Sequence, residues 1–384
     1  NTLFGLFDMF SGGGLSRLSV FALGIMPYIS ASIILQLLTV VSPELSRLKK
    51  EEGQAGQKKI TQYTRYLTVL ITLVQGTGIS IGLQQMTSPT GVAVVPHPGF
   101  MFVFITVVTL SAGTIFIMWL GEQITARGIG NGISLIIFSG IVAGIPGALM
   151  KSFRLMSSGE MAIFVVLIIT VIMAGVLIFT CFMETSQRRI PIHYAKRQMG
   201  RKMYGGQNTH LPLRVNTAGV IPPIFASSIL MFPATIANFS QVEWLQTVST
   251  FFQPGSIAYA LVFIGLIIFF CFFYTAIIFD PKDIAENLKK QGGFIPGIRP
   301  GYHTKEYIDK VLTRITLWGS LYVAAICVLP MVLIDKLNVP FYFGGTALLI
   351  VVGVAIDTMS QVQSYLITHQ YEGLMQKSKL KGRF

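Results

Sequence analysis

Nine stretches of this chain run for roughly twenty residues with almost no charge. That feature restricts the fold more than any other, because about 20 apolar residues in an α-helix cover the about 30 Å of hydrocarbon in a bilayer. The runs fall at roughly 19–41, 62–83, 99–121, 130–150, 160–183, 215–237, 257–279, 312–334 and 341–367. The pattern predicts an all-α, polytopic membrane protein. Composition agrees: 52% of residues are hydrophobic, 12% are charged, and mean hydropathy is +0.65, well outside the soluble range.

The charge is as informative as the apolar runs. A net charge of +13 suits a nucleic-acid binder, but its distribution points to topogenesis. Residues 42–65 hold Arg47, Lys49, Lys50, Lys58, Lys59 and Arg65, while 84–98 hold no Lys or Arg. Residues 184–214 and 280–314 hold seven basic residues each, while 238–256 hold none. The turn before residue 130 carries Arg127, and the tail KSKLKGRF carries four. By the positive-inside rule, loops 42–65, 122–129, 184–214 and 280–314 and the C-terminus face the cytoplasm, and the amino end lies outside.

Loops 184–214 and 280–314 exceed what a helix connection needs. Both mix basic residues with aromatics and Gly/Pro turns. Two readings stand: solvated topogenic charge, or an ordered docking surface for a large anionic or nucleic-acid-containing partner.

Other chemistries lack their residues. The sequence has no GxxxxGK[ST] phosphate loop and no HExxH, and RGIGNGIS (127–134) reads as a tight turn opening a span. Cys181, Cys271 and Cys327 all sit in apolar runs without paired spacing, which suits packing rather than a disulfide or metal site. No cofactor is expected. Asp and Glu are nearly excluded from the spans, Asp357 being the clearest exception. A proton-coupled carrier keeps ionisable groups at mid-membrane, so this pattern disfavours one. A secondary transporter with broken helices remains the alternative reading. An intramembrane enzyme would need a nucleophile and base, or a metal cluster, and neither is visible.

Four spans combine a helix interruption with a branched apolar residue. GIMPYISAS holds Ile25 and Ile29, four apart and so on one helical face, beside Pro27. The proline predicts a kink within that span. Ile137 follows a glycine-rich turn, Ile224 follows Pro222 and Pro223, and Ile350 follows Gly344 and Gly345.

GIMPYISASII, MWLGEQITARGIGNGIS, YAKRQMGR, THLPLRVNTAGVIPPIFASS, PGIRPG and VPFYFGGTALLIVV resemble the SecY family, the pore subunits of the bacterial Sec protein-conducting channel, or translocon. The likeness runs in order over nearly the whole chain. It implies a ten-span fold around an hourglass pore with a plug and a lateral gate, of which this sequence, beginning at Asn1, lacks the first span. The implied organisation is an external plug over 1–16, an N-terminal half over 17–150 and a C-terminal half over 151–384.

The resemblance also implies roles for individual residues. Ile25, Ile29, Ile137, Ile224 and Ile350 match the pore ring. Phe7, Met9 and Phe10 match the plug, with Gly12, Gly13 and Gly14 as its hinge. Gln36, Gln75, Ser227 and Ser228 match positions at the lateral gate, where interhelical hydrogen bonds of about 1 kcal/mol each would hold a seam closed. Arg188, Arg189, Lys196, Arg197 and Arg299 match the surface that docks the SecA motor or the ribosome with its rRNA. The implied function is passive translocation of unfolded secretory polypeptides, with lateral release of transmembrane segments into lipid. Signal peptides, nascent chains, membrane lipids, and the SecE and SecG subunits are the remaining implied partners, and the bacterial inner membrane is the implied location.

Overall fold

In a computed structural model of the chain, residues 11–14, 17, 19–85, 95–158, 163–194, 197–199, 202–204, 209–239, 256–337 and 345–381 are described. The apolar runs become helices α1 (Met26–Val41), α3 (Gly53–Gln85), α4 (Phe100–Arg127), α5 (Gly132–Ser157), α6 (Ile163–Thr185), α7 (Ile221–Phe239), α8 (Ile257–Ile278), α10 (Tyr302–Leu337) and α11 (Gly345–Lys381). Short helices α2 (Pro43–Glu51) and α9 (Pro281–Lys290) follow α1 and α8. Among the described residues, α3, α4, α8, α10 and α11 are long and apolar enough to cross a membrane, and α1, α5, α6 and α7 contribute shorter apolar helices.

The first group of helices packs in chain order. α1 lies on α3, α3 on α4, and α4 on α5. In the second group α8 packs between α7 and α10, and α11 lies on α10. The groups meet along two seams, α1 and α3 against α7 on one side, and α5 against α6 and α11 on the other. Close approaches are made by glycine, as in membrane bundles that have no hydrophobic drive between helices. At Gly113 of α4 a side chain would collide with the carbonyl of Val20, so the chain ahead of α1 can press into the bundle.

That chain corrects the expected span 19–41. Residues 19–25 are a series of turns, with Ala22 N–H donating to Ser19 O at 3.0 Å and Gly24 N–H to Phe21 O at 2.9 Å. Ala22, Leu23 and Gly24 are buried, which irregular backbone at membrane depth requires. Helix α1 starts only at Met26, with Ile25 as its N-cap and Pro27 in the first turn. Pro27 therefore opens a helix instead of kinking one, since its missing N–H would have been unpaired there anyway. Pro222 and Pro223 do the same at the start of α7.

The two long loops form a small α/β lobe that the all-α expectation did not place. Strand β1 (Gln187–Tyr194) pairs antiparallel with β4 (Thr209–Arg214), in register from Gln187 opposite Arg214 to Ile192 opposite Thr209. Its far end pairs with β5 (Gly293–Phe294) from the other loop, so one sheet, ordered β4-β1-β5, joins both loops. A separate ribbon is made by β2 (Arg197–Met199) and β3 (Lys202–Tyr204). Ile190, Ile192 and Leu213 from the first loop pack with Leu288, Ile295, Ile308, Val311 and Ile315 from the second.

Candidate functional site

Ile25, Ile29, Ile137, Ile224 and Ile350 are 1%, 7%, 3%, 8% and 1% exposed, and all belong to one buried cluster in the middle of the bundle. Each sits at the start of its helix. Ile25 caps α1 and Ile29 is its fourth residue; Ile224 is the fourth residue of α7; Ile137 and Ile350 are the sixth of α5 and α11. Helices α1 and α11 run toward the basic lobe, whereas α5 and α7 run away from that face, by the alternation of the chain. Helix starts that approach from opposite faces thus converge on one apolar cluster. The sequence interruptions are these starts: turns 19–25 ahead of α1, the turn at 128–131 ahead of α5, and residues 215–220 ahead of α7.

The turn ahead of α5 shows why RGIGNGIS has its glycines. Gly130 adopts φ +87°, a conformation few other residues hold, and its N–H donates to Gln361 Oε1 at 2.7 Å. Asn131 then caps α5, its Oδ1 accepting from Ile133 N–H at 3.1 Å. The loop is a helix start and not a nucleotide cradle.

Phe7, Met9 and Phe10 lie outside the described residues. Gly12 and Gly13 have φ +65° and +84°, and a Cβ on Gly12 would stand 3.2 Å from the Cα of Gly140, three residues beyond Ile137. Gly14 closes the turn, its N–H donating to Ser11 O at 3.3 Å. The stem of the amino-terminal segment therefore lies against the same helix that supplies Ile137.

The expected gate residues all fall on α1, α3 and α7, but among the described residues no hydrogen bond between helices joins them. Gln36 Nε2 donates to Ser32 Oγ at 3.2 Å, and Ser227 Oγ donates to Ile224 O at 2.9 Å, each within its own helix. Gln75 Oε1 and Ser228 Oγ are buried without a partner. This corrects the expected hydrogen-bonded seam. Each orphaned oxygen costs about 1–3 kcal/mol, since a buried polar atom is left unmet. At the basic end, a cleft of about 590 Å³ separates the end of α1 (Thr39, Val40) from the end of α8 and the start of α9 (Ile277, Asp280, Ile284).

On the lobe, Arg188, Arg189 and Arg299 are exposed, and among the described residues none is in an ion pair. Lys196 lies outside the described residues; Arg197 is on β2, and its side chain is not described. Arg299 is carried on a firmly held turn. Ile295 beneath it is 4% exposed, Gly297 and Gly301 have φ +81° and +105°, and Thr304 Oγ1 donates to the Arg299 carbonyl at 2.9 Å.

Of two acids near the start of the lobe, Asp357 was noted in the sequence and Glu184 was not. Asp357 lies at the edge of the bundle, with its Oδ1 3.4 Å from Arg214 Nη1 and both side chains mostly exposed, so it is no mid-membrane carboxylate. Glu184, the last acid before the first long loop, accepts from Asn216 Nδ2 at 2.7 Å. The only signal for it in the sequence was an acid at the end of an otherwise apolar span. Cys181, Cys271 and Cys327 are free thiols, the last two buried. No group of three His, Cys, Asp or Glu that could hold a metal occurs among the described residues.

Comparison with known proteins gives the same picture. A family model described as SecY matches residues 19–359. The chain is 55% identical to "Protein translocase subunit SecY" of Escherichia coli (strain K12), over 99% of this chain and 86% of the relative. Its fold resembles a solved structure described as "The structure of a protein conducting channel", at a TM-score of 0.64 and 18% identity, covering 89% of this chain and 81% of that one. A second, at a TM-score of 0.64, 17% identity and coverage of 94% and 90%, is described as showing that the plug domain of the SecY protein stabilises the closed state of the translocation channel and maintains a membrane seal.

Proposed function

Because the chain belongs to the SecY family, we propose that it is the pore subunit of a protein translocase, a passive channel for unfolded secretory polypeptides that also releases transmembrane segments sideways into lipid. The observation that carries this reading is the convergence of five isoleucines, from four helix starts, on one buried cluster. Branched aliphatic side chains touch a moving chain without recognising its sequence, and a narrow apolar ring resists wetting and ion flow. A ring of carboxylates would instead hold basic segments and conduct cations.

Gly12, Gly13 and Gly14 are the hinge of an external plug that seals this ring. The seam of α1 and α3 against α7 is the lateral gate. In lipid, apolar contacts across that seam carry little net free energy, because hydrocarbon replaces them when they part. Gln75 Oε1 and Ser228 Oγ lower the cost further, since both gain a partner when water or a polar chain enters. An apolar segment of a substrate reaches the seam through the cleft between α1 and α8.

The lobe faces the cytoplasm with the C-terminal tail, and Arg188, Arg189, Lys196, Arg197 and Arg299 form its docking surface for the ribosome or the SecA motor. The pushing force comes from those partners, and the chain itself contributes neither catalysis nor nucleotide hydrolysis. SecE and SecG complete the channel in the bacterial inner membrane, around N- and C-terminal halves divided near residue 150.

The test is conductance. Replacing Ile25, Ile29, Ile137, Ile224 and Ile350 with serine, singly and together, raises resting ion current in planar bilayers, most in the combined variant. Current that stays at the parental level across the series removes the ring.

A further inference from the structure

Between the lobe and α7 the chain runs through residues 215–220 without regular structure, and it is fastened to three different helices. Val215 N–H donates to Ser186 O at 3.1 Å, one rung beyond the β1–β4 ladder. Asn216 is 6% exposed, and its Nδ2 donates both to Glu184 Oε1 on α6 at 2.7 Å and to the Gly219 carbonyl at 3.0 Å. Gly219, at φ +64°, turns the chain into α7. On α10, a side chain at Gly319 would collide with the Val215 carbonyl. On α11, a Cβ at Gly353 would come within 2.7 Å of Val220 Cγ1. The Arg214–Asp357 pair adds a weak outer contact, because exposed pairs gain little.

We infer that Glu184 and Asn216 are positioning residues for the pore. Their hydrogen bond, with the backbone seat at Gly319, fixes where α7 begins. Ile224 lies eight residues after Asn216, and α7 is the helix that meets α1 and α3 along the seam. Strand β4 runs directly into this junction, so displacement of the lobe is carried to Ile224 through Asn216. A bond from an amide to a carboxylate is stronger than a neutral one, which suits a fastening that must hold at rest. It is also releasable. A cleft of about 280 Å³ lies beside it, lined by Asn131, Glu184, Arg214, Asn216, Asp357 and Gln361, and water there can take over the freed groups.

The functional consequence rests on the channel reading above; the geometric one does not, and the experiment separates them. Asn216→Asp sets a carboxylate against Glu184. In the assembled channel it raises resting ion conductance about tenfold, the shift expected from losing one charge-assisted hydrogen bond. Spin labels on the exposed Ile34 of α1 and Ile229 of α7, in a background lacking the three cysteines, report a wider separation in this variant. Glu184→Gln combined with Asn216→Asp exchanges acceptor and donor across the pair and returns both readouts most of the way, the bond to the Gly219 carbonyl staying lost. Should Asn216→Asp fail to assemble, Asn216→Ala removes the donor without adding charge and gives the same two shifts. An unchanged label distance, or no restoration in the exchanged pair, overturns the inference. A widened distance without added conductance leaves the fastening standing and removes the channel reading instead.

Discussion

The molecule holds two apolar clusters of similar make-up, and they are held together in different ways. The ring cluster gathers Ile25, Ile29, Ile137, Ile224 and Ile350 from α1, α5, α7 and α11, elements far apart in sequence. The lobe cluster gathers Ile190, Ile192, Leu213, Ile295 and Ile308 around a sheet whose strands are locked by a continuous hydrogen-bond ladder. On the proposed reading the lobe stands in water, so its burial contributes about 25 cal/mol per Å² of apolar surface. The ring cluster has no shared ladder: each helix satisfies its backbone hydrogen bonds internally, so side-chain packing alone joins α1, α5, α7 and α11 there. Like residues therefore make a ladder-locked platform in one place and, on the channel reading proposed above, a separable constriction in the other.

Truncation breaks the comparison most directly. Ile308→Ala, at a position 0% exposed in the lobe, costs about 2–5 kcal/mol and lowers the urea midpoint of lobe unfolding. Ile350→Ala in the proposed ring costs less thermal stability than Ile308→Ala, because only side-chain packing joins its helix to the others there, yet it raises ion leak. Equal losses at the two sites would erase the distinction.

A smaller effect tests the lobe as a surface. Arg299→Glu reverses the charge at the tip of a well-held turn and weakens binding of the SecA motor about tenfold, without shifting the melting temperature. A binding measurement beside a thermal scan separates surface from scaffold. Normal affinity would move the docking site elsewhere on the lobe.

The smallest effect is at the basic end of the first group of helices. Arg65 donates from Nε and Nη2 to Glu122 Oε1 and Oε2 at 2.9 and 2.7 Å, joining α3 to α4. Arg65 is half exposed, so Arg65→Ala costs about 1 kcal/mol or less, read as a slight drop in melting temperature that high salt abolishes.

Much of the fold could be read before any coordinates. Length and lack of charge set the apolar helices. The Gly-Asn turn before α5 was legible because capping chemistry is local. Pro27 and Pro222–Pro223 were visible but misread in part, since a proline in an apolar run signals a helix start as readily as a kink. Only the irregular segments ahead of each helix, 19–25 for Pro27 and 215–220 for Pro222–Pro223, decide between them. Gln36 and Ser227 bond within their own helices, to Ser32 and to the Ile224 carbonyl, a choice that pattern does not reveal.

Sequence by itself determined that this chain lives in a bilayer, which loops are basic, and which isoleucines stand beside helix interruptions. These follow from local properties, namely hydropathy, charge and backbone propensity. Tertiary structure alone decided that the five isoleucines share one cluster, that two distant loops build a single sheet, and that Glu184 meets Asn216. Each of those joins segments tens of residues apart, and such meetings are set by the packing of whole helices, which no local signal encodes.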